Sequence, residues 1–111
     1  MSVTAGDHRC TILYGRPADP EAFDAYYRDV HVPLAARMQG LTSWRLQWLH
    51  AADDGTPPPY HLVVDLLAPD AEALAAVFAS PEGLAAAEDV GRFADGGVTY
   101  LFGREHTVTV A

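Results

Sequence analysis

Lysine is absent from the 111 residues: the seven positive side chains are all arginine, set against fifteen Asp and Glu, for a net charge of −8. That deficit of positive charge argues against a nucleic-acid binder, because a phosphate backbone needs a basic face. One cysteine, Cys10, excludes an intrachain disulfide, so an oxidising compartment is neither required nor implied. No apolar run can span a bilayer; the longest, LVVDLLA at 62–68, is short and carries Asp65. The amino terminus, MSVTAGDHRC, has neither a basic start nor an apolar core, so no leader and a cytoplasmic location are expected. His8, His31, His50, His61 and His106 are dispersed, with no pair at ligand spacing, so no metal site is expected. Gly-rich phosphate loops, dinucleotide fingerprints, Gly-x-Ser-x-Gly and internal repeats are missing too, which leaves no expected cofactor.

What is there suits one folded domain spanning 1–111: half the residues are hydrophobic and a fifth charged. Residues 8–14 (HRCTILY) and 41–50 (LTSWRLQWLH) alternate as strands, and 60–68 (YHLVVDLLA) is apolar on nearly both faces, as a central strand would be. VTYLFG at 98–103 gives a fourth strand, with EHTVTVA continuing extended to the end. Asp19-Pro20, Asp70 and Ser80-Pro81 are helix starts, and Gly40, Gly91 and Gly96-Gly97 read as punctuation. The order β-α-β-β-α-β predicts an α+β, ferredoxin-like fold: a four-stranded antiparallel sheet with helices on one face. The other face, bearing Val and Leu, would be uncovered, so two chains are expected to pair as a homodimer, with the tail 104–111 along the partner's edge.

Residues 20–40, PEAFDAYYRDVHVPLAARMQG, hold the best chemical lead. Phe23, Tyr27, Val30, Leu34 and Met38 form a helical apolar stripe, but Pro33 has no N–H for the Asp29 carbonyl and pushes Val32 toward extended geometry. A kink or break is expected there, with His31 at it, one turn after Tyr27. An imidazole titrates near neutrality and can move a proton either way, so His31 is a candidate general acid/base, with Tyr27 as a second candidate catalytic group. The competing reading is structural: His31 donates to an orphaned carbonyl and pins the kink, and Tyr27 is core.

Trp44, Trp48, Tyr60, Tyr100 and Phe102 fall on one inferred sheet face with Tyr14. They would wall a cavity for a flat, hydrophobic ligand, or simply pack as core. On the opposite face Arg45 is expected to pair with Asp65, and His61 with Asp65 is an alternative acid/base pair. Cys10, on a central strand, should be buried and inert.

The string Phe23-x3-Tyr27-x3-His31-x-Pro33-Leu34, with Ser80-Pro81-Glu82 and Asp89…Phe93 downstream, resembles the EthD family of the dimeric α/β-barrel superfamily over nearly the whole chain. The resemblance implies a dimer of ferredoxin-like units with a pocket between sheet and helices. Its founding member accompanies an oxidative system that degrades ethyl tert-butyl ether, and relatives in the superfamily include lactone isomerases, polyketide cyclases and cofactor-free monooxygenases. The expected function is binding of a small hydrophobic, aromatic or polyketide-like molecule. With it would go cofactor-independent chemistry (isomerase, cyclase or oxidoreductase) or assistance to an oxygenase. The alternative is a non-catalytic accessory protein with a structural His31. For Asp89 a helix-terminal or loop-anchoring role is expected.

Overall fold

The computed structural model describes residues 8–111 and the backbone of Val3–Thr4; the remaining amino-terminal residues, on which the leader was judged, lie outside the described residues. The elements are β1 (Val3–Thr4), β2 (His8–Gly15), α1 (Pro20–Tyr26), a π-helical turn (Tyr27–His31), α2 (Val32–Ala35), β3 (Ser43–Trp48), β4 (Tyr60–Ala68), α3 (Ala71–Ala79), α4 (Pro81–Phe93), β5 (Val98–Arg104) and β6 (Thr107–Val108). The main sheet is antiparallel in the order β3-β4-β2-β5, the ferredoxin-like arrangement expected from the element order.

Pairing fixes the faces. Cys10, Ile12 and Tyr14 stand opposite Leu66, Val64 and Leu62 on one side and Phe102, Tyr100 and Val98 on the other. Successive strand residues alternate faces, so these positions share one side, and it is the side the helices cover. There the core gathers, with Phe23, Tyr27, Leu74, Val90 and Phe93 supplied by the helices. The caps are as expected: Asp19 accepts from Ala22 N (3.1 Å), Asp70 from Ala73 N (2.7 Å) and Ser80 from Gly83 N (3.1 Å). Gly91 does not end a helix; α4 runs on to Phe93.

The segment at Pro33 departs from expectation in an informative way. The winding is not broken, and Val32 stays helical at φ −60°, ψ −50°. Instead one turn widens, with the Val32 N–H donating to the Tyr27 carbonyl five residues back. Pro33 then falls in the first turn of α2, where no N–H is required of it. The wide turn also resets the inward face. At four-residue spacing an ordinary α-helix drifts by about 40° per step; the π turn absorbs that drift. The buried stripe is therefore Phe23, Tyr27, His31 and Ala35, while Val30 is 44% exposed.

A second irregularity lies in the sheet. The β2–β4 register slips between Tyr14 and Gly15, where Gly15 pairs with Tyr60. This bulge turns His61 to the helix side, against the expectation that it shares a face with Asp65. Its Nε2 meets Asp24 Oδ1 of α1 at 2.6 Å, and its ring meets Phe23 edge-on. Arg45 does stand opposite Asp65 in register, but Asp65 is engaged by Thr11 Oγ1 (2.7 Å) and Arg9 Nη1 (3.3 Å). The expected Arg45–Asp65 pair is replaced by these. In the tail, Thr107–Val108 pairs antiparallel with Val3–Thr4 of the same chain.

Where α3 meets α4 there is no room for a side chain. A Cβ on Gly83 would overlap the Val77 carbonyl and crowd Phe78, whereas one on Gly91 would meet nothing within 4 Å. Gly83→Ala should therefore cost ~1–3 kcal/mol by overpacking. Gly91→Ala should add ~0.5–1 kcal/mol by removing helix-interior glycine entropy. Urea midpoints of the two variants check the opposite signs.

Candidate functional site

The helix layer covers the central strands and leaves a cavity of about 280 Å³ against the sheet. Its wall is mostly aliphatic and aromatic. The side-chain nitrogens and oxygens come from Tyr14 and Tyr100 on the sheet, Trp44 on β3, and Tyr27 and His31 on the π turn. Its outer side reaches β5, where Phe102 is 60% exposed yet meets the ring of Phe78 at 5.9 Å.

His31 is where the wide turn puts it: 5% exposed, lining the cavity, with its ring among those of Tyr27 (5.0 Å) and Phe93 (4.8 Å). Its Nδ1 stands 2.9 Å from Oδ2 of Asp89, itself 2% exposed, in α4. Asp89 also accepts from the Tyr26 hydroxyl at 2.7 Å through Oδ1, and Arg92 Nη1 stands 3.4 Å from that oxygen. This carboxylate is the residue that sequence reasoning undervalued. It is no loop anchor but the partner of the imidazole, 58 residues away in the chain. The signal available was its place in the family string beside Phe93.

The electrostatics assign the proton. Burial drives Asp89 toward protonation, but hydrogen bonds from Tyr26 and His31, the adjacent imidazole and Arg92 outweigh it and hold the carboxyl below the usual range. Burial pushes the His31 imidazole below its ordinary value, more than the hydrogen bond and charge of Asp89 raise it. At neutral pH, then, an ionised Asp89 accepts from a neutral ring, so Nδ1 carries the hydrogen. The nitrogen left with a lone pair is Nε2. Burial raises the Tyr14, Tyr27 and Tyr100 phenols, which stay protonated as donors.

Of the expected ligand-binding residues, Trp44, Tyr100 and Phe102 line the cavity with His31 and Tyr27. Trp48 and Tyr60 do not. Trp48 is on the expected sheet face but toward the far end of β3, packed edge-on against Tyr27 (5.8 Å) and His61 (5.9 Å), in a separate groove with Asp24 and Arg28. Tyr60 lies beyond the bulge, in a cleft with Arg16 and Pro58. Cys10 is buried on β2, and burial with the nearby Asp65 pushes its thiol up to about 11. Among the described residues no three His, Cys, Asp or Glu side chains gather as a metal-holding group, and no helix is long and apolar enough to cross a membrane.

A one-sided antiparallel sheet in β3-β4-β2-β5 order, with a His-carboxylate pair beside an apolar cavity, defines a ferredoxin-like α+β protein. Comparison with known proteins narrows this. The EthD domain matches residues 16–97. An uncharacterised 11.0 kDa protein from the thcB–thcC intergenic region of Rhodococcus erythropolis is 45% identical over 101 residues, covering 91% of this chain and 97% of that one. Among solved structures, an EthD-family protein from Bacillus halodurans superposes with a TM-score of 0.83 at 27% identity, covering 89% of this chain and 98% of its own. A hydroxynitrile lyase from Passiflora edulis shares the fold, with a TM-score of 0.70 at 11% identity and coverage of 95% and 99%. The chain belongs to the EthD family.

The pair makes acid stability directional. The folded value of His31 lies below the ordinary ~6.5, so its contribution is complete above that pH and declines as pH falls from ~6.5 toward the folded value. Asp89 behaves likewise lower down, losing its contribution as pH falls below the ordinary carboxylate value of ~3.9. Unfolding free energies from urea titrations between pH 5 and 8 should fall on the acid side by at most ~1.4 kcal/mol per pH unit for one proton. The part owed to His31 should vanish in His31→Gln, whose amide still donates to Asp89. An identical acid limb in both proteins contradicts the assignment.

Proposed function

We propose that this EthD-family protein binds a small, flat, hydrophobic molecule in the cavity and moves a proton on it without a cofactor, His31 serving as general base and acid. The observation that carries the reading is the Nδ1–Asp89 hydrogen bond of 2.9 Å behind a cavity-lining ring. A carboxylate at Nδ1 fixes the tautomer and stabilises the imidazolium that forms when Nε2 takes a proton from an acidic C–H of the ligand. The electron pair stays on the ligand, and the proton returns from Nε2 at the same or another atom. This is the chemistry of an isomerase or cyclase. It is also the first step of cofactor-independent oxidation, where the deprotonated carbon would react with dioxygen. Tyr27, beside His31 and neutral, serves as hydrogen-bond donor in the same space.

A non-catalytic carrier is the second reading, favoured by one observation. The Tyr26 and His31 bonds to Asp89 tie the first helix to α4, a structural duty that requires no turnover. Deuterium exchange separates the two. With 2-tetralone as a carbon-acid probe in D2O, NMR should show protein-accelerated exchange at C1. His31→Gln should lose ~10²–10⁴ of that acceleration while remaining folded. Equal exchange in wild type and His31→Gln contradicts the catalytic role and leaves the carrier.

We also propose that the functional unit is a homodimer paired through the helix-free sheet face, where Leu13 and Val63 are half-buried and Leu101 is half-exposed. Covering that face calls for an interface of ~1,200 Å² or more. Light scattering at micromolar concentration should give twice the 12.0 kDa chain mass. Leu101→Arg should shift the equilibrium toward monomer, and a wild-type monomer contradicts the assembly.

A further inference from the structure

Asp89 is held from two sides, and only one of them is the cavity. Its Oδ2 stands 2.9 Å from Nδ1 of the cavity-lining His31. Its Oδ1 accepts from the Tyr26 hydroxyl at 2.7 Å, with Arg92 Nη1 at 3.4 Å. Tyr26 is half-buried on α1 and lines an outer groove with Arg92 and Phe93 rather than the cavity. Its ring lies 5.3 Å from that of Phe93, which in turn meets the His31 ring at 4.8 Å. Tyr26 is thus one carboxylate away from the imidazole, out of reach of anything in the cavity. The other titratable groups around the ring carry no competing charge. Tyr27, against the ring, and Tyr14 and Tyr100, on the sheet wall, are neutral phenols. Arg28 and Asp29 pair with each other on the exposed side of the π turn, and Glu88 takes the other terminal nitrogen of Arg92 at 3.4 Å.

We propose that Tyr26 is a positioning residue for His31: by holding Oδ1 of Asp89 from outside the cavity, it divides the carboxylate's charge and keeps the imidazole an uncharged, usable base. An imidazole beside a buried carboxylate has two arrangements, an ion pair or a neutral ring donating to the anion. A carboxylate with no other donor favours the ion pair, because an opposite charge at hydrogen-bond distance stabilises the imidazolium. Donors on Oδ1 draw negative charge away from Oδ2, and a hydrogen bond to an ionised acceptor is a strong one. The weaker pull left on the ring lets burial decide, and His31 stays neutral. The same bond raises the Tyr26 phenol, which remains a protonated donor. The inference rests on the reading of His31 as a base, and it adds the residue that sets how strong that base is. Its consequence runs against the usual effect of losing a hydrogen bond. Without the Tyr26 hydroxyl, His31 should hold a proton more tightly and act as the stronger base.

The test titrates the His31 ring by NMR in wild type, Tyr26→Phe and Arg92→Gln. Tyr26→Phe removes the hydroxyl and keeps the ring against Phe93; Arg92→Gln removes the cation beside the same oxygen. The His31 midpoint should rise by roughly half to one pH unit in Tyr26→Phe. It should rise by less in Arg92→Gln, whose arginine is 59% exposed and screened by solvent. 2-Tetralone should bind Tyr26→Phe with unchanged affinity, while its C1 exchange above the midpoint runs about two- to threefold faster, as a strengthened base requires. A purely structural Tyr26 would instead lower stability and leave both midpoint and exchange rate as in wild type. An unchanged or lowered midpoint in a folded Tyr26→Phe protein overturns the inference while His31 keeps its role as base. Should that variant not fold, an unchanged midpoint in Arg92→Gln overturns it equally. Exchange absent from all three proteins overturns the inference together with the reading beneath it.

Discussion

A single buried carboxylate holds the site together. Asp89 can be sunk in α4 because it accepts from Tyr26 and His31, with Arg92 alongside, which offsets the cost of desolvating the charge. The two principal donors arrive from the far helix, so the carboxylate also sets the distance between the helices that roof the cavity. The geometry of the first helix follows. For Phe23, Tyr27, His31 and Ala35 to point inward at uniform four-residue spacing, the helix must shed the drift of an ordinary α turn. The π turn at Tyr27–His31 does this, and Pro33 sits just past it. Wide turns of this kind gather at functional sites because they re-aim one side chain without breaking the element.

The surrounding chemistry is consistent with that arrangement. Aliphatic walls keep the imidazole neutral by burial, and the carboxylate behind it assigns the proton to Nδ1. The phenols, held protonated by the same burial, offer hydrogen bonds without adding charge. Cys10 sits on the cavity-side face of β2 with its thiol pushed up to about 11, which removes it as a competing nucleophile. The acidic surface implied by the net charge of −8 stays outside this space.

Much of the fold was legible because local signals agreed with it. Alternation marked β2 and β3, a run apolar on nearly both faces marked β4, and Asp19, Asp70 and Ser80 marked the helix starts that they do cap. The misreadings come from one-residue irregularities that no local pattern announces. A straight α period put Val30 inside and left His31 beside the stripe; one wide turn exchanges them. Strict alternation put His61 with Asp65 and Tyr60 with the aromatic wall; one bulge at Gly15 moves both. Trp48 was placed on the correct face, yet its position along β3 carried it past the cavity's end. Asp89 could not be paired with His31 from spacing at all, since the contact joins elements 58 residues apart.

Long-range proton–nitrogen correlation of the His31 side chain at neutral pH tests the central claim most directly, because it reads the tautomer on which both the clamp and the proposed chemistry depend. A neutral ring with its hydrogen on Nδ1 and a bare Nε2 is the predicted result, changing to the Nε2–H form or to a tautomer mixture in Asp89→Asn. A wild-type ring protonated on Nε2 alone, or carrying both hydrogens at pH 7, would contradict the account.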